Sequence, residues 1–135
     1  MTISLILHKC FLMRLFILLL IFLSLAGCYQ VKRNCTDFKT GIFKSTIIID
    51  SKDFVSTFKR FDTIQIETFE KKTDSASVRW INDCEMVFKT INPKNMAEKK
   101  DVHLKILSTT DSSYTFEYSY VGKTNKQKGI AVKIK

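Results

Sequence analysis

Four cysteines carry the most chemistry in this sequence: Cys10, Cys28, Cys35 and Cys84. Cys28 follows Leu25-Ala26-Gly27, after the apolar run Leu15 to Leu23 and the cation Arg14. A thiol there is a nucleophile with small neighbours, open to an enzyme working at the membrane surface. The apolar run fits an export-signal core of ~7–15 residues and falls short of the ~20 that span a bilayer. Lys9 and Arg14 supply the positive flank, and Ser24, Ala26 and Gly27 the small residues of a cleavage site. Met13-Arg14 would itself begin a compact signal, which leaves Met1 to Leu12, with Cys10, as a candidate upstream extension.

Leu25-Ala26-Gly27-Cys28 resembles the lipobox of bacterial lipoproteins. The resemblance implies a thioether-linked diacylglyceryl group on Cys28, cleavage just before it, and acylation of the freed amine. Each buried methylene contributes ~0.8 kcal/mol, so several chains anchor stably where one does not. The expected organisation is a signal peptide over 1–27, a lipidated tether over 28–36 and a β-rich domain over 37–135. Tyr29 stands where an Asp would, in the lipoprotein pattern, retain the protein at the inner membrane. The resemblance therefore implies an outer-membrane anchor, and no acidic cluster follows Cys28 to direct export to the cell surface. The expected location is the cell envelope, facing the periplasm.

With Cys28 lipidated, Cys35 and Cys84 remain. In an oxidising envelope compartment an even pair reads as a disulfide; two buried free thiols are the alternative. A metal site is not expected: there is no Cys-x-x-Cys, and His103 is the only histidine after Cys28. No cofactor is expected either. The sequence shows no phosphate-binding Gly-rich loop and no nucleophile–base constellation, and the expectation is a protein that is not an enzyme. The formal charge is +9, from 22 basic and 13 acidic residues. The basic residues are scattered or paired, as at Lys59-Arg60 and Lys99-Lys100. That suits a solvated surface or an anionic membrane face, and no nucleic-acid partner is expected.

The elements that must position these groups read as strands. Gly41 to Asp50, Phe54 to Arg60, Thr63 to Glu70, Ala76 to Trp80, Cys84 to Ile91, Val102 to Ile106, Tyr114 to Tyr120 and Ile130 to Ile134 each carry an alternating or β-branched pattern between turn signals. Asn82-Asp83 suits a two-residue hairpin, since both tolerate positive φ. Asn92-Pro93 and the following Lys94 to Lys100 suggest one short helix near 93–100. The expected fold is all-β: a single small antiparallel meander of about eight strands, as a lipocalin-like closed barrel or a curled sheet. Gly41-Ile42-Phe43 resembles the Gly-x-Trp of lipocalins, with Phe43 in place of Trp.

Tyr114, Phe116, Tyr118 and Tyr120 form an aromatic stripe on one strand face. It reads as core, or as the wall of a ligand cavity together with Trp80. Arg79 lies on the face opposite Trp80, and His103 beside Lys105 reads as solvated.

The stretches Arg79-Trp80-Ile81-Asn82-Asp83-Cys84-Glu85, Asn92-Pro93-Lys94-Asn95-Met96 and Ser113-Tyr114-Thr115-Phe116-Glu117-Tyr118 are similar to a group of small Bacteroidota lipoproteins. Some of these carry a "DNA topoisomerase IV" label. The chain after Cys28 is far too short for an ATPase, a DNA gate and a metal module. The functional expectation is therefore an accessory or structural lipoprotein docking on an envelope partner protein, held to the membrane by its lipid. The alternative is a lipocalin-like binder of a small hydrophobic ligand. Large inward side chains favour the first; a cavity of a few hundred cubic ångströms would favour the second.

Overall fold

A computed structural model describes residues 6, 8–9, 11–18 and 32–135. Cys10 and Leu25-Ala26-Gly27-Cys28 lie outside the described residues. The chain divides into two compact units, Met1–Lys32 and Arg33–Lys135. In the first, residues 11–18 are helical and exposed. No helix among the described residues is long and apolar enough to cross a membrane.

The second unit is a closed antiparallel barrel of eight strands in sequence order: β1 (Gly41–Ile49), β2 (Lys52–Arg60), β3 (Ile64–Phe69), β4 (Lys72–Asn82), β5 (Glu85–Thr90), β6 (Val102–Thr109), β7 (Ser113–Tyr120) and β8 (Gln127–Lys133). Closure comes from β8 pairing back on β1, with Thr46 opposite Ile130 and Ser45 opposite Ala131. Every strand thus has two hydrogen-bonded neighbours and no edge is left to aggregate. This is the up-and-down architecture of lipocalins.

The β1–β2 and β3–β4 hairpins turn through Asp50-Ser51 and Glu70-Lys71, all four at positive φ. Paired left-handed residues match the right-handed strand twist, which explains two-residue turns without glycine. At the β4–β5 hairpin the mechanism differs from the expected one. Asn82 and Asp83 do not take positive φ; the Asn82 side chain instead accepts the Cys84 amide at 2.9 Å.

The helix expected near 93–100 does not form. Asn92 takes a φ of 57°, which turns the chain before Pro93. Glu98 then accepts from the Lys94 amide and the Asn95 side chain, while Asn95 accepts from the Glu98 amide. Side chains that would otherwise project from a helix fold back on the backbone and hold a chain of turns. The short helical element of the barrel unit is a 3₁₀ turn, Thr36–Phe38, placed before β1.

This 3₁₀ turn covers one end of the barrel. Cys35 and Phe38 are buried there, and Cys35 is bonded to Cys84 with Cα atoms 5.2 Å apart. The segment read as tether is fastened from Arg33 onward: Arg33 donates to the Ile106 carbonyl, and the Asn34 amide to the Thr109 hydroxyl. Gly41 enters β1 at a φ of 138°, and a Cβ there would lie 2.9 Å from the Lys135 carbonyl oxygen. Two residues on, Phe43 is fully buried and stacks on Phe58 at 4.9 Å. The Gly-x-Phe motif thus supplies a backbone bend and an aromatic plug at the closed end.

Candidate functional site

Inward positions on β2 fall at Ser56, Phe58 and Arg60, all buried, by the two-residue period of a strand. Arg60, at the end of the strand, lies opposite Gln65 on β3. That register turns the polar face of β3 inward: Gln65 is buried and Glu67 half-buried, whereas Ile64 and Ile66 are exposed. The reason lies across the strand pair. Arg60 needs acceptors in a closed space, and Gln65 is one of them.

Arg60 is 2 % exposed, although it carries a permanent charge. Its Nε donates to Gln65 Oε1 at 2.8 Å, Nη1 to the Phe38 carbonyl at 3.2 Å and Nη2 to the Tyr114 hydroxyl at 3.1 Å. Rings enclose it, with centroids 4.9 Å away at Phe58, 5.5 Å at Phe43 and 5.6 Å at Phe88. Their π faces offset part of the desolvation of the guanidinium. Burial pushes the Tyr114 hydroxyl above its ordinary pKa, against the opposing pull of Arg60, so it stays protonated at neutral pH. The Arg60 bond uses the Tyr114 oxygen as acceptor, which leaves the O–H free to donate.

Arg60, Phe58 and Tyr114 bound a cavity of about 340 Å³ inside the barrel, partly open to solvent. Its apolar wall comes from Ile47, Phe88, Leu104 and Phe116. Its polar wall comes from Ser45, Gln65, Glu67 and Thr90, with exposed Asp74 toward the open end. Glu67 accepts a hydrogen bond from the Ser56 hydroxyl. Ser45 on β1 and Ser75 and Ala76 on β4 leave room that larger side chains there would fill.

The stripe on β7 divides along its length. Tyr114 and Phe116 are buried, Tyr118 is half-buried and Tyr120 is exposed. The first three line the cavity; Tyr120 and Tyr118 line a second hollow with Lys123 and Gln127. Trp80 lies outside the cavity lining. It packs on the core near Arg60, beneath Lys39, and its Nε1 is buried without a hydrogen-bond partner among the described residues. Arg60, Gln65 and Glu67 are the site residues that reading the sequence missed. The signal present was the alternation Ser56, Phe58, Arg60 ending a strand, which marks one face and not which way it points.

Elsewhere, Lys39 pairs with Asp83 at 2.8 Å. On the outer face, Glu85 sits between His103 at 3.2 Å and Lys105 at 3.4 Å. Burial pushes the Glu85 carboxyl up, but hydrogen bonds and charge from Lys105 and His103 outweigh it and hold the pKa below the usual value.

Comparison with protein-family models, with curated proteins and with solved structures finds no match to this chain.

Proposed function

We propose that the chain is a non-catalytic, lipid-anchored envelope lipoprotein whose barrel holds a small, partly apolar molecule. The observation that carries this reading is the partly open cavity of about 340 Å³ with one apolar and one polar wall. Ligand sites are concave, mostly apolar, and carry a few polar groups that fix orientation. Large inward side chains favour docking on the sequence alone; Ser45, Ser75 and Ala76 at the cavity wall leave space that favours ligand binding. The envelope location, the anchor at Cys28 and the periplasmic face rest on the resemblance of Leu25 to Cys28 to a lipobox. The Cys35–Cys84 bond suits an oxidising compartment.

Organic extraction of the purified protein, followed by mass spectrometry, tests the cup. A stoichiometric small molecule, or saturable uptake of an alkyl-chain compound, is expected; neither appearing would overturn it. Cys28→Ala is expected to abolish acyl labelling, and persistent labelling would overturn the anchor.

Docking on an envelope protein remains a second reading. Val55 and Ile130 flank Thr46 across β2, β1 and β8, and with exposed Ile48 and Val132 they put an apolar strip on the outer surface. Contiguous exposed apolar surface of this kind marks interaction sites.

A further inference from the structure

We propose that Arg60 and Tyr114 form a receptor for the acid group of a singly charged amphiphile, and that Glu67 excludes a second negative charge. The proposal deepens the ligand-binding reading and rests on it.

A buried cation is costly unless it is paired. Among the described residues no carboxylate lies within ion-pair distance of Arg60; the acceptors it meets are an amide, a carbonyl and a phenol, all neutral. A guanidinium carries five N–H donors, and these bonds use one on each nitrogen. One N–H on each terminal nitrogen is left without a protein acceptor among the described residues, and guanidinium N–H groups bind carboxylates well. Tyr114, at 1 % exposure, adds its free O–H beside them. Arg60 and Tyr114 thus bring two kinds of donor to the wall of one cavity, beside a guanidinium that no carboxylate pairs directly among the described residues.

The rest of the cavity fits what such a head group would carry. Ile47, Phe88, Leu104 and Phe116 line the space with apolar surface. Glu67 is the next inward residue after Gln65 on β3, about 7 Å further along the strand. One carboxylate balances Arg60. A doubly charged head, such as a phosphate monoester, adds repulsion from Glu67, whereas Asp74 toward the open end is exposed and paired with Lys94 at 4.0 Å.

Substitution of Arg60 risks the fold, so the test uses the unaltered chain and a ligand series. Decanoate, decanol and decyl phosphate are titrated calorimetrically at neutral pH. Decanoate is expected to bind about tenfold tighter than decanol, the effect of one charge-assisted contact. Decyl phosphate is expected to bind more weakly than decanoate. Tyr114→Phe should then weaken decanoate severalfold more than decanol. Equal affinity for decanoate and decanol would overturn the acid receptor while leaving the cup intact. Decyl phosphate binding more tightly than decanoate would overturn the role of Glu67. No binding by any of the three would overturn the cup reading and this proposal together.

Discussion

Arg60 Nη2 and the Tyr114 hydroxyl meet at 3.1 Å across the barrel, from the last residue of β2 to the second of β7. The bond fixes a buried cation by its planar fork rather than by an opposite charge. Arg60→Lys keeps the charge but cannot reach Gln65, Phe38 and Tyr114 from one rigid plane. A loss of about 2–4 kcal/mol is expected, since two or three buried acceptors lose their donor. Urea unfolding measures it, and an unchanged midpoint would show that the fork carries no stability.

The disulfide closes a loop with a sequence separation of 49. In the chain-entropy model a loop of that size stabilises by about 4 kcal/mol. The Cys35→Ser, Cys84→Ser double variant is expected to melt well below the oxidised protein by calorimetry. A reductant is expected to lower the melting temperature of the unaltered chain to the same extent and leave the variant untouched.

Gly129 is placed where β8 closes on β1 and β7. A Cβ there would sit 2.6 Å from the Phe116 ring and 2.9 Å from the Thr46 carbonyl oxygen. The backbone atom cannot give way as a side chain can. Gly129→Ala should cost about 1–3 kcal/mol through overpacking, and denaturant unfolding reads the difference.

The lowered pKa of Glu85 makes stability depend on pH in one direction. Between its folded and unfolded values the folded state binds fewer protons, so stability falls as pH drops through that range. The contribution is fully present above the ordinary carboxylate pKa of 4.5 and is lost as pH falls from there through the lower folded value. Thermal melts across the acid range should show a shallower loss for Glu85→Gln than for the unaltered chain. Parallel curves would show that the partners of Glu85 do not couple its ionisation to folding.

Strand positions were legible in the sequence because alternation and turn residues are local signals. The eight strands, the order of an up-and-down meander and the Cys35–Cys84 pairing all follow from such signals together with compartment chemistry. Which face points inward was not legible. On β3 the apolar residues Ile64 and Ile66 face outward, and Gln65 is buried because Arg60 lies opposite it. On β8, Ile130 and Val132 face outward while Gly129 and Ala131 fit under the crowded β1 and β7 rings. Facing is decided by register across strands, which one strand's pattern does not contain. The same gap hid the cavity, since an inward Ser45 or Gln65 is visible only once closure is known. Near 93–100 the proline suggested a helix, but Glu98 and Asn95 folded back on the backbone.

Native mass spectrometry of the purified protein beside Ala76→Phe reads occupancy of the cavity. Ala76 lines the cavity from β4, and a phenyl ring there would occupy the space a ligand needs. One bound small molecule per chain is expected in the unaltered protein and none in the variant, with both folded. A bound species retained equally by the variant, or no uptake by the unaltered protein from any alkyl-chain compound offered, would contradict ligand binding in the barrel.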